Sequence, residues 1–130
     1  MSYTPEQLRE NRRLWADALE SGKYRQAKEV LQSRDGAMCC LGVLAELAGC
    51  QFHWTEDATY PTCDELDGDQ MAPKAAMDFV GLRHNEGRYG DGLSLAAKND
   101  SGASFDTIAD IIRSEPDGLF VDAKSEEPRP

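Results

Sequence analysis

Two adjacent cysteines at the start of an almost uncharged segment are the residues of this chain best suited to chemistry. Cys39 and Cys40 follow a glycine turn at 35–36 and precede the apolar run 41–45. A cysteine at a helix start lies near unpaired backbone N–H groups and the helix dipole, and both favour the reactive thiolate. The same segment would also suit the buried central helix of a small domain, in which the thiols pack as small hydrophobic groups.

A cysteine hydrolase needs further groups around the thiol. Papain-like and amidase-like enzymes place the nucleophile at the start of a central helix and take a histidine and a polar orienting residue from distant segments. The candidates here are Gln26 near the oxyanion, His53 or His84 as the base, and Asn99 or Asp100 as the orienting residue. No local signature of such enzymes surrounds the cysteines, so burial of both thiols is the main interpretation and a hydrolase the alternative.

A metal site is a second chemical interpretation. Cys50 and His53 have a C-x2-H spacing, and Cys63 lies ten residues beyond His53. These three residues with Cys39 or Cys40 would give the four tetrahedral ligands of zinc. Structural zinc sites usually combine two short-spaced ligand motifs, and this chain contains one. The sequence therefore predicts neither a metal nor another cofactor.

Residues 55–70 form an acidic segment with six carboxylates and no lysine or arginine. The spacing does not match a calcium-binding loop, because Gly68 precedes Asp69 and no glutamate follows at the required position. Such a segment is typical of a solvated loop. Its carboxylates could also occupy a basic nucleic-acid groove of another protein, guided by opposite charge. The residues expected to bind in that case are Asp64, Glu65, Asp67 and Asp69.

Arginines and aromatic residues alternate with glycines further along the chain. Arg83, Arg88 and Tyr89, with Trp54 and Tyr60, could line a nucleotide pocket in which rings stack on a base and arginines hold phosphates. The glycine pattern lacks the strand-to-helix context of a phosphate-binding loop. An ordinary surface hairpin is therefore the main interpretation of this region.

The chain has 130 residues and a net charge of −10. This length suits one domain with a real core, which we place at residues 1–123, followed by a polar tail at 124–130. The acidity argues against direct nucleic-acid binding, because affinity for phosphates needs clustered cations. Seven of the fourteen basic residues lie within residues 1–34, and the remainder carries −12. A small basic face on an acidic body is the expected result.

Targeting signals and cysteine use indicate a compartment. No segment approaches the roughly 18–20 apolar residues of a membrane span, and the N-terminus has no signal-peptide apolar region. Four cysteines in a chain without an export signal point to a reducing compartment and free thiols. We therefore expect a cytoplasmic protein without a disulfide and without membrane contact.

The elements that would position these residues are mostly helices. The segment 4–7 carries a capping box with proline at the first helical position, and Ser21-Gly22 ends the helix that it starts. The apolar stripe of this helix consists of Leu8, Trp15 and Leu19. A second helix at 23–32 would complete an αα-hairpin. The nearly charge-free third helix, at about 37–48, is of the kind that other helices surround in a core.

The rest of the chain predicts short elements separated by turns. We expect a strand at 51–54, a short helix after Pro73, a glycine-rich hairpin or loop, a turn at 99–102 and a last helix capped by Ser104. The predicted fold class is α+β and α-rich. Four to five helices pack around the helix at 37–48, with a small antiparallel β element.

Three blocks of sequence together resemble a known family. They are residues 15–26 (WADALESGKYRQ), 39–44 (CCLGVL) and 95–112 with the core NDSGASF. In this order they are similar to small, mostly uncharacterised proteins encoded by bacteriophages and prophages, over most of residues 14–113. The resemblance implies a viral accessory protein and no particular reaction. With the acidity, it favours binding of a host defence or regulatory protein; capture of a nucleotide messenger and cysteine hydrolysis are the alternatives.

Overall fold

The structure is a computed structural model, and it describes residues 3–33, 35–54, 59–61 and 71–121. Its helices are α1 (Pro5–Glu20), α2 (Cys40–Leu47), α3 (Lys74–Val80), α4 (Leu95–Asp100) and α5 (Phe105–Ser114). Its strands form two antiparallel ribbons, β1 (Phe52–Trp54) with β2 (Thr59–Pro61) and β3 (Arg88–Tyr89) with β4 (Leu93–Ser94). The predicted α-rich α+β fold is confirmed. None of the helices in these ranges is long and apolar enough to cross a membrane.

Helix α1 begins with the predicted capping box. The Gln7 backbone N–H donates to Oγ1 of Thr4 at 3.1 Å, and the Thr4 backbone N–H donates to Oε1 of Gln7 at 2.9 Å. The apolar stripe buries Trp15 and Leu19, and α1 packs on α5, α2 and α3. The Trp15 indole N–H donates to the carbonyl of Cys40 at 3.0 Å. The predicted first helix is therefore confirmed and is tied to the first residue of α2.

Helix α2 is the centre of the core, as its apolar sequence predicts. Every residue of 40–45 is buried, and α1, α3 and α4 pack around this helix. The predicted range of 37–48 starts three residues too early. The reason is that the Met38 backbone N–H donates to the carbonyl of Arg25 at 2.8 Å, and the Met38 carbonyl accepts from the N–H of Ala27 at 2.9 Å. These hydrogen bonds hold Met38 in an extended pairing with residues 25–27, so the helix begins only at Cys40.

The second helix predicted at 23–32 is wrong, because residues 22–33 form an irregular loop. Glu29 adopts a left-handed backbone with a φ of 69° in this loop. Its N–H donates to Oδ1 of Asp100 at 2.8 Å instead of to a carbonyl four residues earlier. The loop still buries Leu31, which explains why the sequence imitates an amphipathic helix. Contacts with distant segments here outweigh local helix propensity.

The turn predicted at 99–102 is in part a helix. The hydroxyl of Ser94 accepts from the Ala97 backbone N–H at 3.0 Å and caps the six-residue helix α4. Asn99 lies in the last turn of α4, and only the residues after Asp100 turn. The prediction failed because the segment around Ser94 has the alternating pattern of a strand, which hides the cap.

Helix α5 and the segment after it close the core. The hydroxyl of Ser104 accepts from the Thr107 backbone N–H at 3.2 Å, as predicted for the cap. The buried stripe of α5 is the predicted one and consists of Phe105, Ile108, Ala109 and Ile112. Leu119 and Phe120 are fully buried, and Phe120 forms an isolated β-bridge with Leu82. The end of the described chain therefore packs on the region that follows α3.

Arg12 is a buried cation that joins α1 to α3 and to the C-terminal segment. Its Nε donates to the carbonyl of Val80 at 2.6 Å, and its guanidinium lies 4.0 Å from the centre of the Phe120 ring. Its Nη1 lies 3.5 Å from a carboxylate oxygen of Glu115. The cation–π contact and the ion pair offset the cost of burying this charge. Arg12 is not part of the predicted apolar stripe of α1, so the hydrophobic pattern does not signal its burial.

Substituting Gly42 tests how closely loop 22–33 approaches α2. A Cβ on Gly42 would overlap the carbonyl oxygen of Leu31. We expect Gly42→Ala to lower the free energy of unfolding by about 2–3 kcal/mol, as overpacking of a core does, measured by urea denaturation. Gly22→Ala is the control, because nothing lies near its Cβ position and only its left-handed backbone resists the change, at about 1–2 kcal/mol. Equal losses in the two variants would contradict a close approach.

Candidate functional site

Asn99 is a fully buried amide beside the N-terminus of α2. Its Oδ1 accepts hydrogen bonds from the Cys40 backbone N–H at 3.2 Å and from Nε2 of Gln26 at 2.9 Å. Its Nδ2 donates to the carbonyl of Ala27 at 2.7 Å and to Oδ1 of Asp100 at 3.2 Å. The fold therefore brings together three residues that the hydrolase hypothesis selected, namely Gln26, Cys40 and Asn99.

These four hydrogen bonds occupy the whole amide of Asn99. A side-chain amide has two N–H donors and an oxygen with two acceptor sites, and each is used here. The bond to Cys40 satisfies one of the backbone N–H groups that a helix start leaves without an intrahelical partner. Asn99 thus works as a helix cap supplied by a different helix. It has no group left with which to orient a histidine.

Both thiols are buried, and burial keeps them protonated at neutral pH. Burial raises the pKa of Cys39 to about 11, although the N–H groups of Gly42 and Leu41 near its sulfur act in the opposite direction. Burial, with a smaller contribution from the neighbouring Cys39, raises the pKa of Cys40 well above its ordinary value. At pH 7 the Cys39 side chain is then a thiol and not a thiolate. Desolvation outweighs the activating effect of the helix start.

Neither histidine supplies a base to these thiols within the described ranges. His84 is exposed in the turn after α3, and it is not among the groups that shift the pKa of either cysteine. His53 lies in β1 opposite Tyr60, and its side chain falls outside the described residues. The described part of the site thus contains a thiol pair and an amide, without a base beside them.

The zinc candidates do not form a site in the part of the chain that the structure describes. Cys50 is buried and disulfide-bonded, whereas Cys39 and Cys40 are free thiols. Cys63 lies outside the described residues. No three histidine, cysteine or acidic side chains of the described residues are grouped so that they could hold a metal ion. The expectation of a chain without a disulfide is wrong, because pairing depends on which thiols the fold brings together.

The glycine-rich region forms the expected hairpin, made by β3 and β4. Tyr89 is buried in the hydrophobic core, so its ring is not free to stack on a base. Nε of Arg88 lies 2.9 Å from a carboxylate oxygen of Glu86, and the Arg83 side chain is exposed. The remaining binding candidates lie outside the described residues, and they are Asp64, Glu65, Asp67 and Asp69.

A cavity of about 200 Å³ opens beside Cys39, and we call it the Cys39 cavity. Among the described residues, those that line it are Glu29, Val30, Cys39, Met71, Ala96 and Asp100. They come from loop 22–33, the start of α2, the segment before α3, and α4. Sequence reasoning selected Cys39 and Asp100 but missed the other four, because no motif joins these segments and the left-handed backbone of Glu29 has no sequence signal.

The basic residues of α1 line a second cavity, of about 180 Å³, together with the end of α5. Carboxylates of the protein already compensate most of this charge. The ion pairs are Arg12 with Glu115, Arg13 with Glu10, and Arg113 with Asp17 and Glu20. An anionic ligand would have to displace these carboxylates, so the cavity does not favour anion binding.

These features define a small α-rich α+β domain with a buried cysteine pair at the start of its central helix. Residues 8–116 match the model of a family described as Domain of unknown function (DUF8296), and the chain belongs to this family. No curated protein and no solved structure shows significant similarity to the chain. Its function is therefore inferred from the chemistry of its own residues.

Replacing Asn99 by aspartate tests the role of the buried amide. The carboxylate keeps the shape of the side chain but loses both donors, and it places a charge beside Asp100 away from water. We expect Asn99→Asp to lower the free energy of unfolding at pH 7 by about 3–5 kcal/mol, as an uncompensated buried charge does. The loss should shrink as the pH falls, because a buried carboxyl has a raised pKa and is neutral when protonated. Asn85→Asp, at an exposed position, should have little effect; similar losses in both variants would contradict this role.

Counting thiols tests the cysteine assignment. The protein unfolded without reductant should show two reactive thiols per chain, from Cys39 and Cys40, because Cys50 is disulfide-bonded. After reduction the count should rise to four. In the native protein the two free thiols should react slowly, since burial suppresses the thiolate. Four thiols without reductant would overturn the assignment.

Proposed function

We propose that this protein is a phage or prophage accessory protein that acts by binding a host defence or regulatory protein. The main support is that the groups required for cysteine catalysis serve the fold instead. The Asn99 amide is fully hydrogen-bonded, and burial raises the pKa of both thiols. The resemblance to phage proteins supports the viral setting, and the net charge of −10 supports a basic partner.

A cysteine hydrolase is the weaker candidate. Such an enzyme needs a thiolate and a base within hydrogen-bonding reach of it. Cys40 is fully buried, with its sulfur 3.8 Å from the carbonyl oxygen of Leu95, and Cys39 is 5% exposed. A substrate would reach Cys40 only if the core opened, so the arrangement favours a structural role for the cysteine pair.

Capture of a nucleotide messenger has less support than protein binding. Of the five residues selected for it, Tyr89 is buried, Arg88 is paired with Glu86, and the side chains of Trp54 and Tyr60 lie outside the described residues. Arg83 is exposed, and one arginine alone does not hold both the base and the phosphates of a nucleotide. A binding protein for a macromolecular partner fits these residues better.

The charge distribution supports a partner with a basic surface. Beyond residues 1–34 the chain carries −12, and Arg12 and Arg13 of α1 and Arg113 of α5 are paired with carboxylates. Opposite charge accelerates encounter and orients the two surfaces, and it does so most strongly at low salt. A nucleic-acid groove on a host protein is a surface of this kind, because it carries the cations that neutralise phosphates.

A phage-challenge assay separates binding from catalysis. Bacteria that carry a defence system and express wild type, Cys39→Ser or Cys40→Ser are infected, and the efficiency of plating is measured. We expect wild type to raise plating, and we expect each serine variant that melts within a few degrees of wild type to raise it equally. Binding needs no thiolate, whereas serine cannot replace the thiolate of a hydrolase without a stronger base. Loss of the effect in a folded serine variant, or no effect of wild type across defence systems, would contradict the proposal.

The same assay also tests the role of the acidic segment, by comparing two variants of equal net charge. One neutralises the acidic segment with Asp64→Asn, Glu65→Gln, Asp67→Asn and Asp69→Asn. The matched control neutralises four exposed acids elsewhere, with Asp91→Asn, Asp106→Asn, Asp110→Asn and Asp117→Asn. We expect the first variant to lose more of the effect and to associate more slowly with the host target at low salt. Equal behaviour of the two variants would exclude the acidic segment as the binding surface.

A further inference from the structure

Cys50 lies at the junction between the central helix and the ribbon of β1 and β2. It is buried, and its backbone N–H donates to a carbonyl of α2 at 3.0 Å. Strand β1 begins two residues later, at Phe52. Cys50 is disulfide-bonded, whereas Cys39 and Cys40 are free thiols. Because the chain has four cysteines, Cys63 is the partner that remains within it.

The pairing register of the ribbon gives independent support for this partner. Phe52 pairs with Pro61 and Trp54 pairs with Thr59 in the antiparallel register. Two residues further out, the same register sets position 63 opposite position 50. Directly opposed residues of an antiparallel pair have Cα atoms about 4.5–5.5 Å apart, within the roughly 4.4–6.8 Å that a disulfide spans. The partner left by counting the cysteines is thus the one that the register favours.

The ribbon has little other support in the described part of the chain. Each strand has three residues, and no described helix packs extensively against either strand. Phe52 packs in part against the core, at the end of the ribbon next to Cys50. A two-stranded hairpin by itself is only marginally stable in water. A cross-link at its base restricts the unpaired chain, and it therefore favours the paired strands.

The helical core, by contrast, is held together without this bond. Helices α1, α3 and α4 surround α2, and the Asn99 side chain caps the first residue of α2. Cys50 follows the last residue of α2, Leu47, by three positions. Cleavage of the disulfide therefore leaves the contacts between the helices in place.

We propose that a disulfide between Cys50 and Cys63 is a redox-sensitive staple of the ribbon formed by β1 and β2. In the oxidised protein the two strands are paired, and in the reduced protein they separate while the helical core stays folded. The acidic segment 55–70 includes β2 and Cys63. The redox state thus decides whether β2, and with it this segment, is tied to the end of α2. The inference goes beyond the proposed function, because it needs no partner.

The reductant is a small thiol or a protein dithiol. A thiolate of the reductant attacks one sulfur of the disulfide, which forms a mixed disulfide and releases the other cysteine. A second thiol of the reductant then attacks the mixed disulfide and releases the remaining cysteine. Two electrons and two protons pass to the protein, and the reductant leaves as its own disulfide. The disulfide form of the same reductant reverses both steps.

Peptide mapping tests the linkage. The full-length protein is alkylated without reductant and digested at glutamates, which places the four cysteines in the peptides 30–46, 47–56 and 57–65. We expect mass spectrometry to find 47–56 joined to 57–65, and 30–46 to carry two alkyl groups. A different link, an unlinked Cys50, or a cross-linked dimer on a non-reducing gel would overturn the assignment.

NMR of the full-length protein tests the consequence of reduction. The oxidised protein should show cross-strand nuclear Overhauser effects between positions 53 and 60, which pair in the ribbon. We expect excess dithiothreitol to abolish them and oxidised glutathione to restore them, while the amides of α5 and of Leu41 to Leu44 in α2 keep their chemical shifts. Cross-strand effects that persist after reduction, or core signals that collapse with them, would overturn the proposal.

Cys63→Ser separates the loss of the bond from other effects of the reductant. It leaves the buried Cys50 side chain in place, so it removes the cross-link without a substitution in the core. The variant should lack the cross-strand effects with and without dithiothreitol and should match the reduced wild type. Cys39→Ala is the control, because it removes a thiol that is not in the disulfide and should keep the redox response. Paired strands in Cys63→Ser would refute the staple.

These measurements are independent of the phage-challenge assay. A ribbon that responds to reductant in a protein without effect on plating would leave the staple standing and contradict the proposed function. Conversely, a protein that raises plating but whose ribbon ignores the reductant would keep the proposed function and refute the staple.

Discussion

The buried amide of Asn99 is the interaction on which the rest of the structure depends. It holds loop 22–33 through Gln26 and Ala27 and the start of α2 through Cys40. An amide this deeply buried is stable only if all its donors and acceptors are paired, so the three segments are held in one arrangement. Gly42 then allows the carbonyl of Leu31 to lie against α2, which a side chain would prevent.

The same constraint explains why residues selected by the hydrolase hypothesis serve the fold. Gln26, Cys40 and Asn99 are brought together, but their polar groups are used to satisfy backbone and to complete the core. Two opposite effects act on the pKa of Cys39. The N–H groups at the helix start lower it, and burial raises it by a larger amount. Burial prevails because the thiolate loses its hydration, and the N–H groups at the helix start replace only part of that stabilisation.

The elements predictable from the sequence are those stabilised by their own residues. Helices α1 and α5 have both a side-chain cap and an apolar stripe, and α2 is apolar except for Glu46, so all three were expected. Helix α4 was not expected, because the strand-like pattern around Ser94 hides its cap. Loop 22–33 was not expected either, because a partner distant in the chain decides its backbone: the Glu29 N–H donates to Asp100. The Cys39 cavity was missed for the same reason, as its lining comes from four separate segments. Whether the acidic segment binds a partner is still a prediction.

The position of Asn99 in the chain also governs when the protein can fold during synthesis. Its hydrogen bonds reach residues 59 to 73 positions earlier, and Gln26 in turn reaches Ala103, 77 positions later. The start of the central helix therefore lacks its cap until Asn99 has left the ribosome. Contacts of such sequence separation slow folding, because long loops must close before the contacts can stabilise anything. Until then the nascent chain exposes the apolar surface of residues 40–45, and this surface makes the partly folded chain prone to aggregation.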